Sequence, residues 1–174
     1  MINMKSIALI GFMGSGKTTI GQILGKELTY PVIDVDEQIE KKTNMTIKKI
    51  FETKGENWFR EKEGEELNKW VDQNVIVSTG GGIITKEQNR NQLKEQFNTI
   101  WLRTSFEEIM KRLAGEQDTR PLWRKPVEER RQLFLDRESL YKQVAHYIIW
   151  TDGRSQDEIA QEIINLLQLY KTEK

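Results

Sequence analysis

Gly11-Phe12-Met13-Gly14-Ser15-Gly16-Lys17-Thr18 fits G-x-x-x-x-G-K-[ST], and its neighbours supply the setting that this pattern needs. Before it runs Ile7-Ala8-Leu9-Ile10, an apolar strand; after it Ile20, Ile23, Leu24 and Leu28 recur at helical intervals. A strand, a glycine-rich turn and a helix in that order form a cradle for phosphate. The glycines let the backbone curl until successive N–H groups point at phosphate oxygens, and the helix N-terminus adds about half a positive charge. Gly14, Ser15, Gly16, Lys17, Thr18 and Thr19 are therefore the expected nucleotide-binding run, with Lys17 reaching the β- and γ-phosphates and the Thr18 hydroxyl ligating Mg²⁺.

Working outward, short apolar runs alternate with segments of helical spacing. Val32-Ile33-Asp34-Val35, Val75-Ile76-Val77, Ile100-Trp101-Leu102 and Tyr147-Ile148-Ile149-Trp150 read as four more strands. Nearly continuous apolar runs suit strands buried on both faces, so the pattern predicts an α/β fold with a parallel sheet between helices. Ser105-x-x-Glu108 and Ser155-x-x-Glu158 are capping boxes opening two of the later helices. Between strands two and three the spacing predicts a short helix near Thr46 to Phe51 and a longer one from about Asn57 to Asp72. Residues 115–126, with two prolines and many charges, carry little periodicity and read as a mobile excursion. No repeat or linker divides the chain, so residues 1–174 are expected to form one domain.

Composition bounds the chemistry. With 27 basic and 27 acidic residues the formal charge is zero, which argues against a broad nucleic-acid footprint. A mean hydropathy of −0.66, no run near the ~20 apolar residues of a membrane span and no signal peptide point to a cytoplasmic protein without membrane partners. Zero cysteines exclude disulfides and thiol catalysis, and the single histidine, His146, leaves no material for a histidine-rich metal site. The chemistry must come from Asp, Glu, Lys, Arg and backbone.

The phosphate cradle alone does not separate motors, GTPases and small kinases. An Asn-Lys-x-Asp guanine reader is missing and the chain is short for a motor, which leaves a small-molecule kinase. Strand two ends in Asp34-Val35-Asp36, facing the same crevice as the cradle. Two carboxylates beside a triphosphate make sense if Asp34 helps hold Mg²⁺ and Asp36 accepts the proton of the attacking hydroxyl. Gly80-Gly81-Gly82 after strand three suggests close approach of backbone to a ligand. Glu63 falls in the apolar stripe of its helix and needs a partner, which Arg60 provides at i−3. Arg60 and Arg137, each beside an apolar face, would together hold a carboxylate; the residues alone leave open that each is a surface ion pair.

Taken in order, Gly11 to Thr19, Asp34-Val35-Asp36, Phe59-Arg60-Glu61-Lys62-Glu63, Gly80-Gly81-Gly82, Thr119-Arg120-Pro121-Leu122 and Arg137-Glu138-Ser139-Leu140-Tyr141 closely resemble the shikimate kinase family over nearly the whole chain. The resemblance implies a three-layer P-loop NTPase fold of the nucleoside monophosphate kinase type. Its central five-stranded parallel sheet would carry a substrate-binding region at about 34–62 and a lid at about 115–126. It also implies ATP-dependent phosphorylation of the shikimate 3-hydroxyl, a cytoplasmic step of aromatic amino acid synthesis. The sequence shows no heptad seam or extra interface element, so a monomer is the default expectation. By resemblance, Asp36 hydrogen-bonds the shikimate hydroxyls, Arg60 and Arg137 bind its carboxylate, and Gly81 contacts the substrate. Arg120 is the lid arginine that reaches ATP, Arg112 stacks on adenine and Arg154 supplies a second adenine contact. Trp123-Arg124 departs from the small aliphatic residue expected after Arg120-Pro121-Leu122. A gluconate-kinase-like sugar kinase and a nucleotide-binding module without turnover share the cradle and are the competing readings.

Overall fold

The computed structural model describes residues 5–115 and 124–172, with side chains to residue 168. Five strands, β1 (Ile7–Ile10), β2 (Val32–Asp34), β3 (Ile76–Ser78), β4 (Asn98–Arg103) and β5 (Tyr147–Trp150), form one sheet in the order β2-β3-β1-β4-β5. Every pairing is parallel, and the register sets Ile7 against both Ile76 and Asn98. Alternate residues of β1 therefore feed two separate cores. Ile7 and Leu9 join Ile20 and Leu24 of α1 (Lys17–Leu28) and Ile159 and Ile163 of α8 (Gln156–Thr172) on one face. Ala8 and Ile10 join residues of the remaining helices on the other. Helices thus cover both faces of a five-stranded parallel sheet, as the apolar runs required.

Those remaining helices are α2 (Val35–Thr43), α3 (Ile47–Thr53), α4 (Glu56–Asn68), α5 (Glu87–Gln96), α6 (Phe106–Leu113) and α7 (Val127–Val144). Two of them differ from the expected pattern. The α2 helix starts at once after β2, with Asp34 as its cap, where the sequence suggested only a strand end. The α4 helix stops at Asn68, four residues short of the expected Asp72: Asp72 and Asn74 adopt left-handed backbone (φ of 55° each), a conformation asparagine and aspartate tolerate and a helix excludes. Both capping serines act as predicted, the Ser105 and Ser155 hydroxyls accepting the Glu108 and Glu158 N–H groups at 3.2 Å. The one histidine serves the sheet: His146 Nδ1 accepts the Thr99 N–H at 3.0 Å. Among the described residues no helix is long and apolar enough to cross a membrane.

Candidate functional site

The strand order sets the carboxyl ends of β2, β3 and β1 side by side, and the chain leaves each of them on the same edge of the sheet. An open cavity of about 290 Å³ lies there. Met13, Gly14, Gly16, Lys17, Thr18 and Thr19 line it from the loop after β1, Asp34 and Asp36 from the end of β2, and Ser78 to Gly81 from the end of β3.

Gly16 caps α1 with φ of 96°, a backbone that side chains rarely adopt, and no side chain caps the first turn. The first N–H groups of α1 are therefore left for an anion. The Ser15 N–H closes the loop on the Phe12 carbonyl at 3.1 Å. Lys17 folds back on the same loop, its ammonium donating to the Gly11 and Phe12 carbonyls at 2.6 and 3.1 Å.

Asp34 and Asp36 have different surroundings. Asp34 gives Oδ1 to the Glu37 N–H at 3.0 Å, the bond that starts α2. Asp36 sits in the first turn, and its Oδ1 is buried without a hydrogen-bond partner among the described residues. Burial pushes the Asp36 carboxyl up to about 6, helped by the charge of Asp34 and opposed by Lys17 and Arg60. Such a group is ionised at neutral pH yet basic enough to take a proton.

The glycine triplet separates this cavity from a charged cluster behind it. A Cβ on Gly80 would lie 2.8 Å from both Asp36 Oδ1 and Glu63 Oε1, and one on Gly81 would lie 3.3 Å from the Met13 nitrogen and 3.5 Å from Arg137 Nη1. One on Gly82 would collide with the Arg60 guanidinium. Three side-chain-free residues thus make room for two carboxylates and two arginines. Tyr141 fixes the triplet from α7, its buried hydroxyl donating to the Gly81 carbonyl. Burial raises that phenol, which keeps the donor protonated.

Arg60, only 7 % exposed, donates from Nη1 to Glu63 Oε2 at 2.8 Å and from Nη2 to Glu56 Oε1 at 3.2 Å, and packs over Phe59 and Phe51. The i−3 pairing read from the sequence is therefore formed. Glu63 is fully buried, and burial pushes its carboxyl up to about 8 against the pull of Arg60. Arg137 lies over Phe12 with a buried Nε that has no hydrogen-bond partner among the described residues, and burial depresses its guanidinium. Neither arginine lines the cavity of the phosphate loop; they stand beyond Gly81 and Gly82, as a separate acceptor subsite would require.

Arg112 touches the phosphate loop, donating from Nη1 to the Gly14 carbonyl at 3.1 Å while Nε holds Glu108 at 3.1 Å. Arg154 follows β5, bonded to the Trp150 carbonyl at 2.9 Å and paired with Glu162 at 2.6 Å. Arg120 and Trp123 lie outside the described residues, as does most of the expected lid.

The shikimate kinase family model matches residues 13–168, from within the phosphate loop into α8. The chain belongs to the shikimate kinase family. A shikimate kinase of Sulfurihydrogenibium sp. is 41% identical over 166 residues, covering 95% of this chain and 99% of that one. Among solved structures, a shikimate kinase from Acinetobacter baumannii in complex with shikimate superimposes with a TM-score of 0.88 at 37% identity, over 97% of this chain and 95% of that one. The shikimate kinase from Aquifex aeolicus gives 0.82 at 33%, over 97% and 99%.

Within this site three contributions escape a reading of the sequence. Gly80 and Gly82 accommodate Asp36, Glu63 and Arg60, contacts visible only once β3 is laid beside β2. Glu66, buried on α4, takes hydrogen bonds from Lys42 of α2 and from Lys69, and so ties the helix bearing Asp36 to the one bearing Arg60. Asn89, on α5, is 2 % exposed and donates to the Arg60 carbonyl at 3.0 Å. One signal for it was available: Gly64, a glycine in the middle of a helix, marks a place where something packs against the backbone.

Proposed function

We propose that the protein transfers the γ-phosphoryl group of ATP to the 3-hydroxyl of shikimate, giving shikimate 3-phosphate and ADP in aromatic amino acid biosynthesis. The observation that carries this reading is the pair Arg60 and Arg137 gathered at Gly81 and Gly82, across the triplet from Lys17 and Asp36. A planar, bidentate donor suits a carboxylate better than a neutral sugar hydroxyl, and two such donors in one place suit a ring acid.

In the proposed reaction Lys17 and the N–H groups of the loop hold the β- and γ-phosphates. The two arginines orient the acceptor by its carboxylate, and the Asp36 carboxylate takes the proton of the 3-hydroxyl as that oxygen attacks the γ-phosphorus and ADP leaves. Glu63 holds the Arg60 fork in place. Thr18 and Asp34 suit Mg²⁺, since both present hard oxygen donors to the cavity and only one carboxylate oxygen of Asp34 is engaged by the α2 cap. Bound there, Mg²⁺ would neutralise charge on the phosphates. Arg120 would add its charge to the transferring phosphoryl as residues 115–126 close, with Arg112 and Arg154 at the adenine. A cytoplasmic monomer is the assembly we expect.

Arg60→Ala or Arg137→Ala should raise the KM for shikimate by ~10- to 100-fold, the worth of one charge-assisted bond. The KM for ATP should stay within about 2-fold, and equal defects toward both substrates in steady-state kinetics would make the arginines structural. Gly82→Ala should reproduce a weaker form of the Arg60 defect, ~10-fold in shikimate KM, because the new methyl must displace the guanidinium from the triplet. Unaltered shikimate kinetics in a folded Gly82→Ala variant would detach the triplet from acceptor binding.

A further inference from the structure

Arg60 is gripped at both ends by one stretch of chain. Gly82 lies against its guanidinium, and from there the chain runs through a short 3-10 helix, Ile83–Thr85, into α5, whose Asn89 returns to the Arg60 backbone. In a helix the Arg60 carbonyl already accepts the N–H of Gly64, and the Asn89 amide supplies a second donor to the same oxygen. Gly64 is what admits it: a Cβ there would collide with Asn89 Oδ1. Glycine in the middle of α4 is less favourable than alanine, so its presence where α5 packs on α4 fits a role in seating Asn89.

We propose that Asn89 is a positioning residue for acceptor recognition, fixing the axial height of α4 so that the Arg60 fork meets the acceptor carboxylate. This rests on the reading of Arg60 given above. Asn89 does not line the phosphate-loop cavity and its hydrogen bond to Arg60 is to the backbone carbonyl, so it acts through the backbone of Arg60. Losing the bond lets α4 shift against the triplet, and a shift well below 1 Å is enough to spoil a two-point fork on a carboxylate.

The test measures kcat and KM for shikimate and for an analogue lacking the carboxylate, at saturating MgATP, in wild type, Arg60→Ala, Asn89→Asp and Gly64→Ala. Asn89→Asp keeps the shape and replaces the donor with an acceptor. It should raise the shikimate KM about 5-fold, with kcat and the KM for ATP within about 2-fold and the analogue unaffected. Gly64→Ala leaves Asn89 in the chain but pushes its amide aside, and should move the shikimate KM the same way. It carries the test alone if Asn89→Asp does not fold. Equal losses on shikimate and the analogue, or no loss on shikimate, would overturn the positioning role while leaving the Arg60 reading intact. If Arg60→Ala itself loses nothing on shikimate, both fall together.

Discussion

Lys17→Ala is expected to lower kcat by ~10³-fold or more. The ammonium belongs to the cradle itself, and a charge that meets the transferring phosphoryl as it develops negative character acts on the transition state more than on binding. In the free protein Lys17 is 9 % exposed and spends two donors on the Gly11 and Phe12 carbonyls, so it must rotate toward phosphate when nucleotide enters. Alanine leaves those carbonyls to water in an open cavity, which limits the loss of stability to about 1–2 kcal/mol. Circular dichroism should therefore show a folded variant. A folded Lys17→Ala protein with kcat within 10-fold of wild type would remove the cradle from the mechanism.

Asp36→Asn is expected to cut kcat by ~10²-fold or more while leaving MgATP binding in place, since the amide keeps the hydrogen-bonding outline and loses the basicity. The same substitution should stabilise the free protein at alkaline pH. Asp36 titrates at about 6 when folded against an ordinary 3.8, so the folded state binds the proton more tightly than the unfolded one. Its contribution to stability is complete below 3.8 and is lost as pH rises through about 6. Asparagine has no such loss, so Asp36→Asn should gain about 1–3 kcal/mol over wild type at pH 8, with the gap closing toward pH 4. In wild type the acid limb of kcat/KM should fall below about pH 6. Loss of nucleotide binding with shikimate binding preserved, read by titration calorimetry, would assign Asp36 to the metal and exchange its role with Asp34.

What the sequence could disclose depended on whether a feature was local. The phosphate loop, the Asp34-Val35-Asp36 step and the Arg60–Glu63 pair were all legible, because each lies within one turn or one strand end and needs no knowledge of neighbours. The α2 helix is not, and α5 is legible only as a helical segment after β3, without bounds. Only Val35 and Ile39 of α2 are buried, and in α5 the buried pair is Asn89 and Leu93, so neither shows the repeated apolar face from which helices are recognised. Val35 moreover continues the apolar run of β2 and so reads as strand, although it opens α2. The opposite error lengthened α4: Trp70 and Val71 prolong its apolar periodicity while packing on the core from a turn. The glycine triplet was legible as a close approach, but what approaches, Asp36 and Glu63 at Gly80 and Arg60 at Gly82, follows only from the parallel register of β2 and β3.

If a phosphate cradle and a two-arginine carboxylate site share one glycine triplet, initial rates with MgATP across a panel of acceptors will follow the acceptor's ring carboxylate. ADP release should depend on shikimate, with 3-phosphorylated product formed in step. Gluconate, nucleoside monophosphates and water should each give kcat/KM values at least ~10²-fold lower, since none presents a ring carboxylate at the spacing the arginines require. Turnover of gluconate or of a nucleoside monophosphate at a kcat/KM equal to that for shikimate would contradict that arrangement.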